Sequence, residues 1–271
     1  MRPRSFLLLL LVLAILAGCR PQPVTVTREP VALRVVAADS CGPLADALAA
    51  SYAETRPWVT VTTAVCDTTV AEEALEEGEA DVALLSWIDQ SARRPDSPPL
   101  WVQPFALDGV VVVVHRDSSL TEVGLAQLQE IFRGRMQEWD GMVLAVVSRE
   151  EGSGVRAAFE SVVLGYHPVT PNSVVASSNG ALAEYVAHTP ATIGYLSALW
   201  LDRAAVDGVR VLPVEGVWPT AAAFADGTYP IVHPLYLATV AEPTGESRAF
   251  AQWVLGPEGQ AVLGVTGGEG P

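Results

Sequence analysis

Cysteine, histidine and positive charge are scarce in this chain, and each shortage excludes a class of function. Sixteen lysines and arginines face 31 aspartates and glutamates, a formal charge of −15 over 271 residues. So acidic a chain repels phosphodiester backbones and anionic headgroups, which excludes nucleic acid as a partner. It also excludes long-range attraction of a small anion by net charge. The four histidines, at 115, 167, 188 and 233, show no metal-ligand spacing, so no metal and no cofactor is expected. No pair of carboxylates is placed for acid–base work. Gly152-Ser153-Gly154 is not a Gly-x-Ser-x-Gly elbow, and arginines rather than a histidine stand beside it. An enzyme is therefore not expected. Internal repeats and low-complexity segments are absent as well.

Long apolar runs are missing except at the start. Phe6 to Ala17 is unbroken, but about a dozen residues fall short of the roughly 20 that span a bilayer. Preceded by Arg2 and Arg4, the run reads as a secretory signal. It ends in Leu16-Ala17-Gly18-Cys19, the pattern of a bacterial lipoprotein signal. The expectation is a signal peptide over 1–18, lipid on Cys19, a flexible proline-bearing tether over 19–30, and an extracytoplasmic protein held to a membrane at the cell surface or in the periplasm. Cleavage removes two arginines and no acid, taking the charge from −15 to −17. Cys41 and Cys66 are then left in an oxidising compartment, where a disulfide between them and two buried thiols are both open.

From Val31 on, short β-rich runs alternate with helical patterns, as in an α/β fold. Strands are expected at 31–37, 58–65, 81–85, 110–115, 144–148, 192–196, 209–212 and 231–239. Helices are expected after Pro43 and over 69–77, 121–132, 155–163, 181–187 and 247–255. The stretch is long enough for one large domain or two lobes.

Four of these helices follow short polar or glycine-rich turns: Asp39-Ser40-Cys41-Gly42, Asp67-Thr68, Glu151-Gly152-Ser153-Gly154 and Ser177-Ser178-Asn179-Gly180. Each alone is an ordinary helix cap. Brought to one cleft, their free N–H groups and positive helix ends make an oxyanion site, and the glycines let backbone approach a ligand closely. Between Arg149 and Arg156 two guanidiniums flank a Gly-Ser-Gly turn, which suits a tetrahedral oxyanion. Pairing with Glu150, Glu151 or Glu160 is the other reading of both arginines.

The loop from Arg149 to Arg156 resembles the Arg-x-x-Gly-Ser-Gly-Thr-Arg loop of the phosphate-binding components of ABC-type importers. Ser178-Asn179-Gly180-Ala181, Ala191 to Tyr195, Leu125 to Trp139, Tyr229-Pro230 with Pro234-Leu235-Tyr236, and Phe250 to Ala261 resemble further segments of that family, in order. The resemblance implies a two-lobed periplasmic-binding-protein-like fold with its ligand cleft between the lobes. One lobe would take 31–107 and 220–271, the other 117–219. It implies a monomer that captures phosphate and hands it to an ABC permease. The implied ligand contacts are Ser40, Cys41, Gly42, Asp67, Ser86, Arg149, Ser153, Gly154, Val155 and Arg156. Val155 replaces a family threonine, and Ser86 stands where some members carry the aspartate that takes the proton of hydrogen phosphate. Sulfate, molybdate or tungstate therefore remain alternatives, as does a surface adaptor or sensor built on the same fold.

One outcome tests the anchor directly. Cys19→Ala is expected to move the protein from the membrane to the soluble fraction, since stable attachment takes more than one acyl chain. A variant that stays on washed membranes would overturn the lipoprotein reading.

Overall fold

The computed structural model describes residues 28–89, 97–201 and 207–266. The signal segment, Cys19, the tether as far as residue 27 and the tail beyond 266 lie outside the described residues. Among those described, no helix is long and apolar enough to cross a membrane.

The chain enters through β1 (Val31–Ala38), a 3-10 turn at Asp39–Cys41 and α1 (Gly42–Thr55). Pro43 in the first turn of α1 fits a position with no N–H to satisfy, and Leu44, Leu48 and Tyr52 form its buried face. Next come β2 (Val59–Cys66), α2 (Thr68–Glu76), β3 (Val82–Leu85) and the 16-residue β4 (Leu100–His115). After α3 (Leu125–Phe132) and a small hairpin of β5 (Glu138–Trp139) and β6 (Met142–Val143), the chain runs through β7 (Ala145–Arg149), α4 (Gly154–Leu164), β8 (Val174–Ala176), α5 (Asn179–His188) and β9 (Thr192–Ser197). The remainder is β10 (Val209–Leu212), α6 (Ala221–Ala225), β11 (Val232–Val240), α7 (Gly245–Leu255) and α8 (Pro257–Thr266).

One sheet carries the molecule, in the order β2-β1-β3-β11-β4-β9-β7-β8, with β10 also on β4. The first three strands in sequence are parallel to one another, as are β7, β8 and β9. Only the long pair β4 and β11 runs through both groups, antiparallel to its neighbours. Packing follows this division. Leu33, Leu48, Tyr52, Leu84, Phe105, Leu235 and Phe250 make one core; Val110, Val112, Phe132, Phe159, Tyr195, Leu212 and Ile231 make the other. The opposite faces of the sheet are covered too, by Leu75 and Leu85 in one half and by Leu182 and Leu196 in the other. Burial on both faces is why β3 and the five-valine run read as unbroken apolar segments rather than as alternation.

Two expectations need correction. Strand β4 begins ten residues before the valine run, with Pro104 and the Asp108-Gly109 pair inside it. Its pairing with β11 steps from Ala106↔Leu235 to Pro104↔Tyr236, a bulge at Phe105 that accommodates the proline. Helix α3 begins at Leu125 rather than Thr121. Val123 is drawn into a bridge with Val214, and the Glu215 carboxylate accepts from the Leu125 N–H at 2.6 Å. That cap comes from 90 residues away, beyond the reach of any local pattern.

Gly109 lies where the long strands pass between the cores. A Cβ there would come within 2.3 Å of the Phe224 ring. Gly109→Ala should lower stability by about 1–3 kcal/mol through overpacking. A urea midpoint equal to that of the parent would show that Phe224 moves aside freely.

Candidate functional site

In each parallel group the carboxyl ends of the strands lead into the polar turns, and this is where α/β sheets place ligands. Strand β1 leads directly into Asp39, β2 into Asp67, β3 into Ser86 and β8 into Ser177, while β7 ends at Arg149 and β9 at Ser197. Contacts join all six ends. Arg149 donates from Nη1 to Asp39 Oδ2 at 2.8 Å and from Nη2 to Asp67 Oδ1 at 2.9 Å, Glu150 Oε1 at 3.0 Å and the Ser177 carbonyl at 3.3 Å. Its Nε donates to the Ala176 carbonyl. Asn179 donates its backbone N–H and side-chain amide to Asp39, at 2.8 and 2.6 Å, and accepts from the Ser197 N–H. The Trp200 indole donates to the Asp39 carbonyl. Three of the four turns singled out in the sequence thus meet around one side chain, and the fourth follows it directly in the chain.

The start of α4 shows how closely they meet. Ser153 is its N-cap residue, yet among the described residues no side chain caps the helix. A Cβ on Gly154 would fall 2.2 Å from Ser86 Oγ and 2.6 Å from Thr68 Oγ1, so only glycine allows this approach. Ser86 and Thr68 hydrogen-bond to each other at 3.0 Å. Gly152 holds a φ of +93° at the turn before the helix, and its carbonyl accepts from the Thr69 N–H. Tyr195 braces the strand below: its hydroxyl bonds Ser148 at 2.7 Å and its ring stacks on Phe159 at 4.0 Å. Burial pushes the Tyr195 hydroxyl's pKa upward.

Of the expected contacts, Ser40, Ser86, Arg149, Ser153 and Gly154 are all buried at this junction, with Asp67 half-buried beside them. Ser40 Oγ is buried and has no hydrogen-bond partner among the described residues. Val155 and Cys41 belong to the hydrophobic cores, so each brings only its backbone to the turn. Gly42 opens α1 against Val65. Arg156 turns to its own helix, donating to Glu160 at 2.8 Å and to the Arg149 carbonyl at 3.1 Å. Cys41 and Cys66 are free thiols, and the disulfide that the sequence allowed is not formed. Cys41 packs with Leu44 and Leu48 whereas Cys66 lies against Ala71 and Leu75, two different core clusters. Burial pushes the Cys41 thiol's pKa upward. Thr68 and Asn179 are further site residues. Thr68 carried only the signal of a helix start, and Asn179 reads locally as one more capping residue.

Arg149 has no solvent exposure and faces three carboxylates within 3.0 Å. Burial, and then the neighbouring Glu150, push the Asp67 carboxyl up to about 7 against the pull of Arg149. The cluster therefore holds a proton near neutrality. A cavity of about 360 Å3 lies between α2 and α4, lined by Thr68, Thr69, Gly152, Ser153 and Gly154 at one end and by Glu72, Glu73 and Glu76 at the other. Only the hydroxyl-and-glycine end suits an anion.

The PBP superfamily domain matches residues 24–258. The phosphate-binding protein PstS of Bacillus subtilis is 28% identical over 191 residues, which is 68% of this chain and 60% of that protein. The chain thus spans about three fifths of that relative's length. A Clostridium perfringens protein described as a phosphate ABC transporter substrate-binding protein, with phosphate bound, superposes with a TM-score of 0.79 at 24% identity, covering 87% of this chain and 98% of that one. An ABC-type phosphate transport receptor from Vibrio cholerae gives 0.70 at 24% identity, over 88% and 100% of the two chains. These structural likenesses bear out the α/β fold.

Asp67 gives a test of the electrostatics. Its pKa is raised, so the folded chain keeps a proton that the unfolded chain loses above about pH 4; stability falls as pH rises from there to about 7, and the penalty persists above. Asp67→Asn is expected to unfold at higher temperature than the parent at pH 8, by the equivalent of about 1–4 kcal/mol, with the gain fading toward pH 4. Equal melting at pH 8 would mean that Asp67 ionises without penalty.

Proposed function

The chain belongs to the PBP superfamily, and from that premise we propose that it captures inorganic phosphate outside the cytoplasm for an ABC-type importer, held to the membrane by lipid on Cys19. The observation that carries the reading is the junction of strand ends, four of which meet at Arg149, with the start of α4 uncapped and the Ser40 hydroxyl unpartnered among the described residues. A buried hydroxyl without a partner loses free energy unless a ligand completes it. Amide N–H groups at a helix start supply what a tetrahedral oxyanion needs, and the positive helix end favours its charge. The named relatives are a phosphate-binding protein and a phosphate transport receptor, which supports phosphate over the other oxyanions.

In this reading phosphate sits against the N–H groups of Gly154 and Val155 at the start of α4, with hydroxyls from Ser40, Ser86, Thr68 and Ser153. Arg149 sets the potential and orders the turns. Hydrogen phosphate can donate its proton to the Asp39 carboxylate, which sulfate cannot do, so that residue favours phosphate. Residues 31–107 with 220–271 form one lobe and 117–219 the other, closing on the anion by a hinge in β4 and β11. The protein works as a monomer, and no catalytic step is assigned to it.

Calorimetric titration of ligand-stripped protein with phosphate, sulfate, molybdate and tungstate tests this, with phosphate expected to bind tightest. Ser40→Ala is the direct variant, because the buried hydroxyl has no hydrogen-bond partner within normal geometry among the described residues. It should weaken phosphate binding roughly tenfold while leaving the melting temperature in place. Arg149→Ala should lose binding and stability together, and Arg149→Lys should restore neither fully, since an ammonium lacks the planar fork. A parent protein that binds none of the four anions would sink the proposal.

A further inference from the structure

A second polar cluster lies in the seam between the cores. On β4 and β11, Asp108 and His233 are cross-strand partners. Phe105 and Leu235 on one side of them belong to the first core, Val110 and Ile231 on the other to the second. The Asp108 side chain is fully buried. Its Oδ2 accepts from Ser197 Oγ at 2.7 Å and lies 3.5 Å from His233 Nε2, while Oδ1 has no hydrogen-bond partner among the described residues. A half-satisfied buried carboxylate costs stability, and a strand interior disfavours aspartate. Packing of the sheet does not explain why it is here.

The hydrogen bonds lead from it to the anion site in three steps. Asp108 fixes the hydroxyl of Ser197. The Ser197 N–H donates to Asn179 Oδ1 at 3.0 Å and so decides which way the Asn179 amide faces. With its oxygen thus engaged, the amide presents Nδ2 to Asp39 Oδ2 at 2.6 Å. That same oxygen accepts from the Asn179 backbone N–H and from Arg149 Nη1. Were the amide turned over, its oxygen would face the Asp39 carboxylate and the contact would become repulsive.

We propose that Asp108 is a positioning residue for the anion site: from the seam between the cores it holds Ser197, Ser197 sets the sense of Asn179, and Asn179 holds Asp39 against Arg149. What is positioned rests on the anion reading above; that the chain of contacts positions Asp39 does not.

Two readouts on Asp108→Ala, Asp108→Asn and Ser197→Ala separate the two. The first is phosphate titration by calorimetry. The second is amide hydrogen exchange at Asn179 and Ser197, with the amides of α1 as an internal measure of global stability. Asp108→Ala and Ser197→Ala are expected to weaken phosphate binding about tenfold and to speed exchange at Asn179 by a similar factor, beyond any change in α1. Asp108→Asn should restore both to within about threefold, because its amide oxygen still accepts from Ser197 and its NH2 group can face His233 Nε2. A merely structural residue would move α1 along with Asn179 and show no such rescue. Parental exchange at Asn179 in Asp108→Ala overturns the proposal. If that variant does not fold, Ser197→Ala decides on the same two readouts. A parent that binds no phosphate while the exchange pattern holds removes the anion reading and leaves the positioning chain standing.

Discussion

A guanidinium shut away from water has to find its counter-charges inside the fold, and Arg149 finds them on three separate segments. Asp39 follows β1, Asp67 follows β2, and Glu150 is its own neighbour; two carbonyls at the end of β8 complete the shell. Removing the shared guanidinium would cost about 3–5 kcal/mol, because the carboxylates left behind would be uncompensated. The strand ends of both halves are therefore bound to a single point. Everything placed on those ends, from the Ser40 hydroxyl to the bare start of α4, inherits its position from that point.

The same cluster reconciles an acidic protein with an anion site. Far from the surface of the cleft, a charge of −15 repels phosphate. Within it, the starts of α2, α4 and α5 add their positive ends to a guanidinium. Three carboxylates answer that potential, and the raised Asp67 keeps one of them protonated near neutrality. The result is a site close to electrical balance. Its affinity must then come from oriented short-range donors, and its selectivity from where a proton can sit.

The regular elements were largely legible in the sequence because most are buried on one stripe or on both faces. The strand expected over 209–212 matches β10, and the helix expected over 155–163 lies inside α4. Elements specified by distant partners were not legible. The first half of β4 is a strand because β11 pairs with it across a bulge, in spite of Pro104. Helix α3 starts where Glu215 caps it. The site shows the same division. Its turns were visible as polar and glycine-rich starts of helices, with Gly154 and Arg149 among them. Which turns meet, and that Arg149 is surrounded rather than free, depends on contacts spanning 82 and 110 residues. Thr68 and Asn179 belong to the site for the same long-range reason.

Strands β4 and β11 are hydrogen-bonded to each other along nine paired positions, from Val232↔Gly109 to Val240↔Leu100, and they run through both cores. A two-stranded antiparallel ribbon resists being sheared lengthwise, because all its cross-strand bonds are loaded at once, but it twists readily about its own axis. In the proposed hinge closure the cores would rotate against each other as weights on a torsion spring, while sliding or parting along the ribbon would be mechanically stiff. The bulge at Phe105 sits on this spring and locally increases its coiling. Such a joint takes up rotation in backbone twist, so the contacts that opening would have to break are those of Arg149 with Asp39 and Asp67.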